Sequence, residues 1–186
     1  MKAIDFLDAY ATSSINSLSG HVPWLDGVMV IITHVGVPLL ELSVVANWWL
    51  RSEPRSGRHD VVACGLSFLF GLVLNQAVLL AINRARPYDV SITHLLIAPS
   101  VGQSFPADHA TMTFAIAFSY FFGARFRKAT YFMISACVIA FSHIYVGTHY
   151  VSDVVGGIAT GCVAAGIVRL LYKEDTRFDR LITGMF

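Results

Sequence analysis

Residues 142–153 read SHIYVGTHYVSD and place Ser142, His143, His149 and Asp153 between two long apolar runs. His149 and Asp153 stand four positions apart, so on a helix they share one face. A carboxylate at that spacing can accept a hydrogen bond from one ring nitrogen. That fixes the tautomer and leaves the other nitrogen as a nucleophile. The plainer alternative makes Asp153 a partner of a helix N-terminal dipole. Two more polar clusters stand where apolar runs begin or end. In SFPADHA, Pro106 marks the first turn of a predicted helix, with Ala107, Asp108 and His109 behind it. Free backbone N–H groups there suit an oxyanion such as phosphate, and His109 could protonate a leaving oxygen. In NRARPYD, Arg86 offers a planar fork that matches phosphate oxygens. Its alternative reading is an interfacial arginine reaching for headgroups.

The elements that must position these residues are apolar. Of the 186 residues 55% are hydrophobic and 13% charged, against about 25% charged in an ordinary soluble domain. Mean hydropathy is +0.63. The composition predicts an all-α, polytopic transmembrane bundle, organised as a single membrane-embedded domain over residues 1–186. Five stretches approach the ~20 apolar residues a span needs, near 25–50, 60–82, 106–122, 129–146 and 150–171. The N-terminal stretch is interrupted by Asp5 and Asp8 and lacks a continuous apolar core. It predicts an amphipathic interfacial helix with Ile4, Leu7, Ala11 and Ile15 near one face. Whether it also crosses makes the count five or six.

Basic residues cluster after the first span (Arg51, Arg55, Arg58), after the third (Arg125, Arg127, Lys128) and in the tail (Arg169, Lys173, Arg177, Arg180). With five spans all three groups fall on one side, which positive-inside makes cytoplasmic. The three polar clusters then gather on the outer side, toward the periplasm or exterior. Net charge is +1 and no basic run is interleaved with aromatics, so nothing recruits nucleic acid. Cys64, Cys137 and Cys162 are isolated in apolar runs, without a disulfide or zinc spacing. Glu41, Asn75 and Gln76 lie inside spans. They read as interhelical hydrogen-bonding groups, or as support for Arg86 from Asn75 or Gln76.

The order R-P, then P-x-x-H, then H-x3-D on membrane helices resembles the type-2 phosphatidic-acid phosphatase superfamily, whose motifs are K-x6-R-P, P-S-G-H and S-R-x5-H-x3-D. The resemblance covers roughly residues 60–170. Arg86 and Pro87 match the first motif, Pro106 and His109 the second, and Ser142, His149 and Asp153 the third. It implies His149 as a nucleophile forming a phosphohistidine, Asp153 as its orienting partner, and His109 as general acid. It also implies hydrolysis without a metal or other cofactor. Arg86, Ala107, Asp108, Ser142 and His143 would bind substrate. The chain departs from the motifs at Leu79 for lysine, Ala107 and Asp108 for serine and glycine, and His143 for arginine. Asp108 and the segment PWLDGVMVIITHVG are similar to the undecaprenyl-pyrophosphate phosphatases of the bacitracin-resistance type. The resemblance therefore implies a bacterial inner-membrane enzyme acting on undecaprenyl pyrophosphate, with membrane lipids around it and room for a homo-oligomer. Alternatives are a phosphatidate or phosphatidylglycerophosphate phosphatase, a lipid phosphotransferase, a small channel or transporter lined by Glu41, Asn75 and Gln76, and a lipid-phosphate-binding protein without turnover.

Overall fold

A computed structural model describes residues 3–49 and 56–184, and every regular element among them is helical. These are α1 (Ala3–Asn16), α2 (Pro23–Ala46, continued by a 3-10 turn to Trp49), α3 (Ser56–Leu79), α4 (Asp108–Phe122), α5 (Phe126–Tyr145), α6 (Val151–Leu171) and α7 (Arg177–Thr183). Arg51 and Arg55 lie outside the described residues.

Among the described residues three helical stretches are long and apolar enough to cross a membrane: Pro23–Trp49, Ser56–Leu79 and Val151–Leu171. Their outward positions are apolar, as in Ile31, Leu39, Leu69, Val73, Val155 and Val163, the pattern of a surface that meets lipid. The expected count of five or six takes in α4 and α5 as well. α4 has 15 residues, about 22 Å at 1.5 Å per residue and short of a ~30 Å hydrocarbon core. α5 carries Arg127 and Lys128 in its first turn and His143 in its last.

α4 is the centre of the bundle, packed against α3, α5 and α6. Ala115 and Ala117 are fully buried and Tyr120 is nearly so. Its closest neighbour is α6, and two glycines permit the approach. A Cβ on Gly157 would sit 2.6 Å from the Ala107 oxygen, and one on Gly161 2.8 Å from the Thr111 oxygen. The Thr111 hydroxyl, 3.2 Å from the Gly157 oxygen, closes the same seam.

The chain alternates direction, so α3 ends, α4 begins, α5 ends and α6 begins at one end of the bundle. The Tyr145 hydroxyl donates to Asp26 at 2.7 Å and brings the start of α2 there too. The opposite end gathers basic residues. Arg125 donates to Asp60 at 2.8 Å, and Arg58 reaches the Thr183 oxygen at 2.8 Å. There α7 docks through Asp179, which accepts from the Tyr172 hydroxyl and pairs with His59 Nδ1 at 2.8 Å.

α1 is amphipathic, as expected, and its polar positions are the ones that pack against the rest of the chain. Asp8, Thr12 and Asn16, spaced four apart, turn inward, with Thr12 fully buried and Asn16 nearly so. Phe6, Leu7 and Tyr10 turn outward. Ile15 packs on the core and Ala11 is half-buried; the side chain of Ile4 lies outside the described residues. The physical reason is that the helix covers a polar junction of loops, while its other face meets an apolar surrounding.

Candidate active site

The α5–α6 turn, the start of α4 and the long segment between α3 and α4 meet over one cavity of about 250 Å³. It is lined by Arg86, His109, His143, Thr148 and His149, with Thr33 and His34 from α2 closing the side. A larger opening of about 650 Å³ lies at the opposite end among Asn47, Arg125, Arg127 and Lys128. Among the described residues that line it there is no imidazole or carboxylate with which to carry proton transfer.

His149 is buried just ahead of α6. Its Nδ1 donates to the Ser104 carbonyl at 2.9 Å. A carbonyl can only accept, so the proton is on Nδ1 and the Nε2 lone pair is free. Arg86 Nη1 lies 3.3 Å from that Nε2 and 3.3 Å from the Thr148 oxygen, while its Nε donates to Gly102 O at 3.2 Å. A guanidinium and an imidazole lone pair thus face the same small space. Asp153 stands 3.6 Å from His149 Nδ1, within ion-pair reach but beyond a hydrogen bond. The tautomer-fixing bond, read at the i, i+4 spacing as Asp153's, is made by a backbone carbonyl instead. Asp153 is fully buried and accepts from the Tyr150 N–H at 2.8 Å, from the Ser104 hydroxyl and from Arg84 Nη1 at 2.7 Å.

His109 sits in the first turn of α4, its ring stacked on His143 with centroids 4.0 Å apart. His149 is near both, at 6.4 Å from His109 and 6.0 Å from His143. His109 Nδ1 and His143 Nε2 are buried without a protein partner. Among the described residues these three imidazoles are the group that could hold a metal, their candidate ligand atoms all within 4.8 Å. The permanent cation of Arg86 beside His149 Nε2 opposes a metal ion there and favours an oxyanion.

Other predicted site residues stand behind the cavity wall. Ala107 is buried ahead of α4, and its N–H is already given to the Asp153 main-chain carbonyl at 3.0 Å. Asp108 accepts from Asn75 at 2.7 Å, and Asn75 also reaches the Thr111 hydroxyl at 2.9 Å. Asn75 therefore supports the start of α4 and not Arg86. Ser142 is fully buried, donates to Ile139 O at 2.7 Å and accepts from Thr33 at 3.0 Å, tying α5 to α2. His94 meets Asn16 through its backbone and is not among the lining residues.

Sequence reasoning missed Ser104 and Arg84. Ser104 opens the SFPADHA cluster, and Arg84 precedes Arg86 by two, which were the available signals. Arg84 stacks on Tyr150 at 3.8 Å and bridges Asp153 to Asp8. Burial works against its charge, but the hydrogen bond to Asp8 and the Asp153 carboxylate outweigh it and push its pKa above the ordinary guanidinium value.

The chain has recognisable relatives in sequence and in fold. The sequence profile described as "PAP2 superfamily" matches residues 60–177. The chain is 34% identical over 151 residues to "Undecaprenyl-diphosphatase BcrC" of Bacillus subtilis (strain 168), covering 81% of this chain and 76% of that protein. It is 28% identical over 170 residues to "Phosphatidylglycerophosphatase B" of the same organism, covering 84% and 79%. The crystal structure of Aquifex aeolicus LpxE superposes with TM-score 0.72 at 24% identity, over 89% of this chain and 96% of that one.

Proposed function

The chain belongs to the PAP2 superfamily of membrane lipid phosphatases, and from that premise we propose that it hydrolyses undecaprenyl pyrophosphate to undecaprenyl phosphate through a phosphohistidine, without a metal. The observation that carries the reading is the His149 ring: Nδ1–H held by Ser104 O, Nε2 free and facing Arg86.

In the first half-reaction the Nε2 lone pair attacks the terminal phosphorus. The bond to the bridging oxygen breaks, that oxygen takes its electron pair, and His109 supplies its proton. The products are phosphohistidine and the lipid monophosphate. In the second, water attacks the same phosphorus and gives a proton to His109. The P–N bond breaks, its electrons return to Nε2, and inorganic phosphate leaves. Arg86 and His143 face the equatorial oxygens, where charge accumulates in both transition states. Asp153 sets the field on the Nδ1 side of His149, and Ser142, Ala107 and Asp108 hold the helix ends that carry the cavity.

The undecaprenyl assignment rests on the relative named for that activity. The clustering of Arg58, Arg125, Arg127, Lys128, Lys173, Arg177 and Arg180 away from the cavity supports an outer-facing site in a bacterial inner membrane, with α4 and α5 counted as spans and residues 1–186 working as one unit.

The test is phosphate release by purified protein in excess EDTA from undecaprenyl pyrophosphate, phosphatidylglycerophosphate and phosphatidate. Fastest release from the first, with turnover lost in His149→Ala, is the expected result. A dependence on added divalent metal, or an active His149→Ala variant, overturns the mechanism. A preference for a glycerolipid phosphate overturns the substrate alone.

A further inference from the structure

Asp153 Oδ1 accepts from Arg84 Nη1, and Arg84 does not belong to Asp153 alone. Its Nη2 donates to Asp8 Oδ2 at 2.5 Å, and its Nη1 also meets the Ser152 hydroxyl at 2.6 Å. Asp8 in turn accepts from the Ser152 N–H at 2.9 Å and from the Ser152 hydroxyl. One guanidinium therefore serves two carboxylates, and its plane is fixed over the Tyr150 ring at 3.8 Å. Asp8 and Arg84 lie 76 residues apart, and Asp8 and Ser152 144 apart. α1 is thus joined to both segments that frame the nucleophile.

The rest of the inward face of α1 engages the same junction. Thr12 accepts from the Val151 N–H at 3.1 Å. Asn16 donates to the Tyr145 and His94 carbonyls at 2.8 and 2.9 Å and accepts from His94 N at 2.7 Å. These bonds dock the helix, and of Asp8, Thr12 and Asn16 it is Asp8 that reaches a charged group touching Asp153.

We propose that Asp8 is a positioning residue for the reaction, acting through Arg84 on Asp153. The physical argument is one of shared charge. With Asp8 present, Arg84 is pulled toward α1 and meets Asp153 through one nitrogen. Asp153 keeps part of its negative field for His149, whose developing positive charge it must offset as Nε2 bonds to phosphorus. Without the Asp8 charge the guanidinium moves onto Asp153, neutralises it and drags it from its place behind His149. Such a displacement acts on the chemical step rather than on substrate capture, and small misplacements of this kind cost up to about 100-fold in rate.

The inference rests on His149 being the nucleophile, so the experiment includes His149→Ala. Turnover of undecaprenyl pyrophosphate is measured in bilayers for wild type, Asp8→Asn, Asp8→Glu, Arg84→Ala and Asp8→Asn/Arg84→Ala, with Thr12→Ala as a docking control. Asp8→Asn is expected to lower kcat about 10- to 100-fold, with KM within about twofold of wild type. Asp8→Glu recovers most of that loss because it restores the charge. The double variant is no slower than Arg84→Ala, because Asp8 acts only through that arginine. Thr12→Ala lowers the unfolding temperature but leaves kcat within about twofold. Losses that multiply in the double variant, or equal losses in Thr12→Ala and Asp8→Asn, reduce Asp8 to a docking contact and overturn the proposal. If Asp8→Asn does not fold, Asp8→Glu and Arg84→Lys carry the same comparison of kcat with KM. An active His149→Ala overturns the mechanism itself, whatever the cycle gives.

Discussion

Arg86 Nη1 lies 3.3 Å from His149 Nε2, so the permanent cation of the cavity is in direct contact with the imidazole nitrogen that carries the lone pair. The contact is long for a hydrogen bond, and an anion bound beside both groups would be held by the guanidinium while it faces the lone pair. Arg86→Lys keeps a charge but loses the planar fork and the tie to Gly102 O. We expect kcat/KM to fall about 100-fold or more, the usual consequence of removing a preorganised donor to a developing oxyanion. Steady-state kinetics checks it; a loss under about threefold would place the clamp elsewhere.

His143 occupies the position where the family motif has arginine, and it lies against His109. Removing its ring takes away both a cavity donor and the surface that holds His109 in place. His143→Ala should lose about 100-fold in kcat, the scale of one lost donor to a developing oxyanion. His143→Arg should retain more, since guanidinium also stacks on aromatic rings. The measurement is kcat for both variants under saturating substrate. The reverse order would assign His143 to packing alone.

Asn75 is fully buried and its amide nitrogen serves Asp108 and Thr111 together. Asn75→Ala leaves the Asp108 carboxylate without that donor, at a cost of about 1–3 kcal/mol. Thermal unfolding in detergent should show a lowered midpoint, and kcat should fall because His109 follows Asp108 in the same turn. An unchanged midpoint would mean that water replaces the amide.

Asp179 lies outside the spans, at the docking site of α7. Burial raises its carboxyl pKa, but donation from the Tyr172 hydroxyl, from His59 and from the Asp175 N–H at 2.9 Å outweighs it and holds the group below the usual carboxylate range. A lowered folded-state pKa stabilises docking in full above the unfolded value of about 3.9. That contribution fades as pH falls through the folded value. Proteolysis of the C-terminal segment should therefore accelerate below about pH 4 in wild type. In Asp179→Asn it should be fast already at neutral pH, with little further change on acidification.

Much of the cavity was legible because its chemistry lies in short motifs. His149, His109 and Arg86 each stand within a few residues of a proline, a helix start or a span end, and local spacing carries that information. Arg84 and Asp8 were not legible, because their partners are set by how a helix and a loop 76 residues apart meet. Ser142 was read as a substrate contact from its motif, yet α2 supplies Thr33 to it and turns it into a helix tie. The packing side of α1, its row Asp8, Thr12 and Asn16, was not legible for a different reason. Apolar periodicity marks the buried side only where water is the alternative, and here the outer surrounding is itself apolar.

The glycine seam between α4 and α6 has one more consequence. The proposed acid lies in the first turn of α4 and the proposed nucleophile just ahead of α6, and these two helices pack closely at Gly157 and Gly161. Their separation is set by main chain against main chain, with no long side chain between to flex or be replaced. The lipid-facing rows of α2, α3 and α6 are under no such restriction. Such a protein is modular: its outer rows are free to drift toward other tails or thicker bilayers while the reacting pair stays in register.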